Sequence, residues 1–320
     1  MAMDNCTDNF SDAVTTPGDV YTSIVETGIL TISFVLNVII VACVCCSPHL
    51  HTFSNVFVVS LAVSDILFAT AYEFTSAVNL YMASTHLPSP CSPVLQCMSS
   101  YLASCSMICS RICHLVVSVE RWLYIAWPFV HQRVITTKSI INCLICVWII
   151  SMLSGVHIIT DCRSSYTEFM IGYATIDACV HFVVGSLMVA IYVHIGFIIR
   201  QQSVAILKSR PTVGNNNVGT INSRIAWNIV RMPVTIFGTF FLCVTPIVFC
   251  NIYLFATDES PTFYHGNTMY DVLRIITIFH TWANFLVYVL QDKKFRSVMA
   301  CYLLKMGTVI WPIRIHPINN

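Results

Sequence analysis

Ser118-Val119-Glu120-Arg121-Trp122 closes an apolar segment that begins near Val94, and it sets an acid beside an arginine at the segment's end. Charge at or inside a membrane is costly, so such a pair marks a functional position by default. Trp122 is the residue type that anchors at a membrane–water boundary. Taken alone, Glu-Arg-Trp reads as an interfacial ion pair with an aromatic anchor. The rest of the chain changes that reading.

The 320 residues are 56% hydrophobic and 10% charged, with a mean hydropathy of +0.74, which is a membrane-protein composition. Net charge is +1, and no basic tract is long enough to serve nucleic acid, so no nucleic-acid partner is expected. Most of the sixteen cysteines, such as Cys43, Cys105, Cys109, Cys113, Cys146 and Cys243, fall inside apolar segments, where cysteine acts as a small hydrophobe. None has metal-site spacing. The stretch Met1 to Tyr21 is polar and acidic without a positive n-region, so no cleavable signal peptide is expected and export rests on the first apolar segment. Two sequons precede that segment, Asn5-Cys6-Thr7 and Asn9-Phe10-Ser11.

Seven windows are long and apolar enough to cross about 30 Å of hydrocarbon. They run Gly28 to Cys46, Asn55 to Met82, Val94 to Ile125, Ile141 to Ile159, Ala178 to Ile199, Met232 to Ala256 and Met269 to Leu290. The one long polar connection, Gln201 to Arg231, contains Gly214-Asn215-Asn216-Asn217 and is expected to be a flexible loop. Basic residues gather on the C-terminal side of the spans, from Arg121, Arg133 and Lys138 to Lys293, Lys294 and Arg296. Arg163 and Arg274 stand on the other side. The positive-inside rule then predicts a multi-pass plasma-membrane protein with its N-terminus outside and its C-terminus in the cytosol. Gln291 to Arg296, followed by Val298, Met299 and Leu303 at helical spacing, predicts a basic amphipathic helix on membrane lipid, with Cys301 a candidate for palmitoylation. The expected organisation is a tail over 1–24, a seven-helix domain over 25–290, and an amphipathic helix with tail over 291–320. This makes an all-α membrane protein, a seven-transmembrane helix bundle with a short amphipathic C-terminal helix.

Single polar residues stand at defined places on these spans. The first carries Leu36-Asn37-Val38, the second Ser60-Leu61-Ala62-Val63-Ser64-Asp65, the fourth a lone Trp148, the sixth Cys243-Val244-Thr245-Pro246 and the seventh Asn284-Phe285-Leu286-Val287-Tyr288. Together with Glu120-Arg121-Trp122, in this order, the set resembles the rhodopsin-like G protein-coupled receptors, over nearly the whole chain. The chain departs from that pattern at Trp122 for Tyr, Val244 for Trp and Phe285 for Pro.

The resemblance implies a receptor that binds an extracellular small molecule or peptide and activates a heterotrimeric G protein. Glu120 would hold Arg121 at rest, and Tyr192, Pro246, Asn284 and Tyr288 would take part in switching. From Ala178 to Thr257 there is no Asp or Glu, and Ala226 stands where many relatives carry an acid to clasp the arginine. The resemblance also pairs Cys97 with Cys162 in a disulfide, and makes sodium the single cofactor candidate, at Asp65, Ser110 and Asn284. An amine ligand is disfavoured, because Ala103 stands where amine receptors carry an aspartate. The remaining pocket candidates are Glu73, Asp177, His181, Asn251, Tyr270 and Arg274, with Asp271 and Arg274 expected to pair at i and i+3.

Arg111 admits two readings: a counter-ion to Asp65, or a side chain pointing toward the fifth span and satisfied by carbonyls and His181. No enzyme motif is present. Two other readings stand beside the receptor: a transporter or channel using Asp65, Glu73 and Arg111 as a polar path, and a receptor that couples poorly because of Val244 and Phe285.

Both sequons are expected to carry glycans. N-glycosidase treatment of the expressed protein should increase its gel mobility, and the Asn5→Gln/Asn9→Gln double variant should show no change on treatment.

Overall fold

The computed structural model describes residues 17–85, 93–156, 166–208, 217–257 and 268–310. Its elements are α1 (Pro17–Cys46), a 3-10 turn (Pro48–Leu50), α2 (Phe53–Thr85), α3 (Pro93–Ala126), α4 (Pro128–Val134) and α5 (Thr137–Ser154). There follow α6 (Tyr166–Lys208), α7 (Asn217–Ala256), α8 (Thr268–Ile278), α9 (His280–Gln291) and α10 (Lys293–Ile310), and among the described residues there is no strand. Seven stretches of these helices are long and apolar enough to cross a membrane. α8 and α9 together make the seventh, Thr268–Gln291.

The helices outrun several of the expected spans. α1 starts at Pro17, a residue suited to a first helical turn, inside the expected tail. α6 runs to Lys208 and α7 begins at Asn217, so most of the expected flexible loop is helical, and residues 209–216 lie outside the described set. Arg200 to Lys208 holds neither Gly nor Pro, and extending an existing helix carries no new nucleation cost. Helix ends are capped from the chain itself. Thr136 accepts from Ser139 N at 3.3 Å while Ser139 Oγ accepts from Thr136 N at 3.0 Å, a reciprocal box that starts α5. Asp292 accepts from Lys294 N at 2.8 Å and Phe295 N at 3.1 Å, which starts α10.

α3 is the central post. Its span is 61% buried, against 17% for the fourth and fifth spans, and it packs on α2, α4, α5, α6 and α7. Two apolar clusters surround it. One contains Leu30, Phe68, Met107, Phe240, Val244 and Tyr270. The other contains Ile40, Leu61, Cys113, Ile236, Tyr288 and Phe295. Between them along the helices fall the buried polar residues Asn37, Asp65, Ser110, Arg111 and Asn284. Val244, where the family pattern has Trp, is buried in the first cluster, and Phe285 packs against the second, with its ring edge-on to Phe295. The seventh span tightens at Phe279, where Trp282 N bonds Phe279 O at 3.1 Å, a three-residue step that divides α8 from α9.

α6 and α7 come close at Gly185, where a Cβ would overlap the Phe241 ring. That ring cannot easily retreat, because it stacks on His181 with centroids 4.6 Å apart. Gly185→Val is therefore expected to cost about 1–3 kcal/mol through overpacking, whereas Gly238→Ala, which meets open space, costs nothing. Thermal unfolding of the solubilised variants checks the contrast.

Candidate functional site

Helical spacing brings the chemistry to three levels of the bundle. At the middle level Asp65 is fully buried and accepts from Ser110 Oγ at 3.2 Å and from Asn284 Nδ2 at 2.6 Å. Ser64 and Ser110 hydroxyls meet at 2.8 Å. Asn37 Nδ2 donates to the Thr281 carbonyl at 3.2 Å, and Ser33 Oγ to Thr281 Oγ1 at 2.6 Å, which ties α1 to α9. Trp148 donates to Ser60 at 3.2 Å, joining α5 to α2. The structure thus brings Asp65, Ser110 and Asn284 together, as the sequence grouping has them.

Arg111 does not belong to that group. It turns from Asp65 toward α6 and makes a two-pronged salt bridge with Asp177, Nη1 to Oδ1 and Nη2 to Oδ2, the latter at 3.1 Å. Its side chain is 1% exposed. A step of about 100° per residue separates it from Ser110, which faces Asp65, so one helix serves both partners. Direct pairing with Asp65 is corrected on this point; Arg111 points toward the fifth span, as the other reading has it, but its partner there is the Asp177 carboxylate rather than carbonyls and His181. His181, one turn after Asp177, stacks on Phe241 and meets Thr245 Oγ1 at 3.0 Å, carrying the contact to α7 beside Pro246. Pro246 has no N–H for the Leu242 carbonyl, which leaves the helix ladder open at that turn.

Toward the α1 N-terminus a second ion pair forms. Glu26, fully buried, accepts from Arg274 Nε at 2.9 Å and Nη2 at 2.5 Å and from Ser76 Oγ at 2.9 Å. The expected Asp271–Arg274 pair is present at 3.9 Å, so it is the weaker half of the arrangement. Glu26 escaped sequence reasoning, although an acid nine residues after Pro17, next to Ile24 and Val25 and just before the first apolar window, is a signal that was available. Glu73 accepts from Thr31 at 2.9 Å. Asp65, Glu73 and Arg111 therefore keep three separate sets of partners and do not form one polar path. Of the remaining pocket candidates, Ala103 is half-buried, Tyr270 is buried, and Asn251 is buried with its amide oxygen unpaired.

At the α10 end, Glu120 sits 3.3 Å from Arg121 Nε, accepts from Ser54 Oγ at 3.2 Å and meets His131 Nε2 at 2.9 Å. Arg121 also donates to Ser54 Oγ through Nη2. Tyr192 OH meets Ser118 Oγ at 2.7 Å, and Trp122 donates to His194 Nδ1 at 2.7 Å. A cavity of about 360 Å³ opens here, lined among others by Arg121, Tyr192 and Tyr288. Cys97 is disulfide-bonded, while Cys162, Asn5 and Asn9 lie outside the described residues. Cys301 is free and exposed on α10.

The family model for the 7 transmembrane receptor (rhodopsin family) matches residues 36–288, from the residue before Asn37 on α1 to Tyr288 on α9.

Breaking a buried ion pair from one side leaves an uncompensated charge and costs about 3–5 kcal/mol, whereas replacing both partners by apolar residues restores much of the loss. Asp177→Leu and Arg111→Met are each expected to lower the unfolding temperature sharply, and the double variant to recover most of it. A double variant as unstable as the sum of the singles would show that the two residues are not coupled.

Proposed function

The chain belongs to the rhodopsin family of seven-transmembrane receptors, and from that premise we propose that it is a plasma-membrane receptor with its N-terminus outside, which binds an extracellular small molecule or peptide and activates heterotrimeric G proteins. The observation that carries this reading is the cavity at the α10 end, because it gathers Arg121, Tyr192 and Tyr288, from three different spans, on one concave surface.

The contacts support the following resting state. Glu120 holds Arg121 with the help of Ser54, while His131 holds Glu120 from α4. Arg121 is 24% exposed, so its pair with Glu120 contributes at most about 1 kcal/mol, and losing it biases a two-state balance several-fold. No acid from α7 can add a second clasp, since Ala178 to Thr257 contains none. A ligand shifts this balance by its differential affinity for the two packings. On α7, Thr245 meets His181, which lies one turn from Asp177, the α6 partner of Arg111 on α3.

The ligand set narrows accordingly. Asp177 and Arg274 are each committed to an ion pair inside the protein, so recognition falls chiefly to Asn251 and Ala103, with Glu73, which accepts from the Thr31 hydroxyl, beside them. For sodium, the donor set fits: Asp65 with the Ser110 and Ser64 hydroxyls supplies hard oxygen ligands, and among the described residues Asp65 has no cationic partner. Those residues would hold the ion, which would supply a counter-charge to the buried carboxylate.

Ligand-independent G protein activation in transfected membranes tests the reading. Arg121→Ala is expected to abolish basal activation, and Ala226→Glu to lower it several-fold by giving Arg121 a second carboxylate. Equal activity of wild type and Arg121→Ala would refute the transducer role.

A further inference from the structure

The cavity at the α10 end carries more positive charge than a switch built on Arg121 requires. Besides Arg121 its lining includes Arg231 from α7, Lys293 and Lys294 from α10, and His49 from the turn after α1, against one carboxylate, Asp292. That carboxylate is engaged as the α10 cap, accepting from Lys294 N and Phe295 N. Arg231 donates through Nε to the neutral Gln291 at 3.2 Å. Among the described residues no carboxylate lies within ion-pair reach of Arg231, Lys293, Lys294 or His49. The polar side chains of Thr52, Asn55 and Gln291 also line it, the two amides being tied to Leu50 O and Thr235 Oγ1.

Cations gathered around a concavity with apolar walls focus a positive potential into it, and their mutual repulsion is relieved by an anion. The floor is apolar, made by Phe57, Val58, Leu61, Met232 and Ile236, so an anion entering loses water and gains strength in each contact. Guanidinium groups offer forked donors and ammonium groups point charges, and the two together suit phosphate oxygens arrayed in several directions. The volume, about 360 Å³, is that of a small-ligand pocket.

We propose that this cavity binds a multiply phosphorylated anion, the chemistry shared by an inositol-phosphate lipid headgroup and a soluble inositol phosphate. Its phosphates contact Arg231, Lys293 and Lys294 at the rim, and its inner end lies beside Arg121. Occupancy therefore excludes any other partner that needs Arg121. The binding itself does not rest on the G protein reading, and its test measures binding alone.

The full chain is purified and placed in phosphatidylcholine nanodiscs, and its thermal unfolding is followed in two arms. One arm titrates inositol trisphosphate in solution, and the other incorporates a phosphatidylinositol bisphosphate. Discs with phosphatidylserine at matched charge, and an acidic peptide of matched charge, serve as comparisons. Stabilisation is expected in at least one phosphate arm, and the arm that responds identifies the source. Arg231→Gln/Lys293→Gln/Lys294→Gln is expected to weaken the apparent affinity by about tenfold or more, while Lys293→Arg/Lys294→Arg retains it. These residues are exposed, and Arg231→Gln alone is expected to show part of the loss if the triple variant does not purify. The proposal is overturned if neither arm stabilises the protein, if the glutamine variants bind as wild type does, or if the arginine variant loses binding. It is overturned as well if phosphatidylserine or the acidic peptide stabilises equally.

Discussion

A guanidinium that cannot shed its proton lies at the centre of an apolar bundle, and the fold must bring it a carboxylate. Arg111 and Asp177 meet that demand with two parallel contacts, and the consequence spreads outward. The pair fixes the rotation of α3 against α6. His181, one turn along α6, is then set against Phe241 and Thr245 on α7, and Gly185 must be small because Phe241 fills its place. The packing around the middle of the bundle is therefore organised by the need to neutralise a single charge.

The same rule operates at two further places, with different partners each time. Glu26 is neutralised by Arg274, with Ser76 adding a donor, which draws α1, α2 and α8 together. Asp65 is satisfied by neutral donors from α3 and α9, and this distinguishes it from the other buried acids. Because Arg111 is committed to Asp177, Asp65 has no cationic partner among the described residues. Both carboxylate oxygens of Asp177, by contrast, are already engaged by Arg111.

The two ends of the bundle differ in how tightly charge is matched. Glu26, Asp271 and Arg274 form a compact set buried or half-buried at one end. At the other, Glu120 takes contacts from Arg121, Ser54 and His131, and the cations beyond it find no carboxylate among the described residues. A partly exposed arginine beside a positive cavity can be moved at low cost. An excess of one charge also selects what approaches it.

The number of spans, their order, the amphipathic α10 and the identity of the polar residues on each helix were legible in the sequence, because they depend on apolar run length, charge asymmetry and local spacing. The grouping of Asp65 with Ser110 and Asn284 was legible through the resemblance of their motifs. The partners of Arg111 and Arg274 were not: Asp177 lies 66 positions from Arg111 and Glu26 lies 248 from Arg274. Nor were the helical stretches within the expected loop, to Lys208 and from Asn217, since Gly214 and its asparagines outweighed the helix-forming residues on either side. Which acid meets which arginine depends on the rotation and depth of each helix relative to its neighbours. One residue's difference turns a side chain by about 100°, so that choice is made by packing many helices at once and has no local trace in the chain.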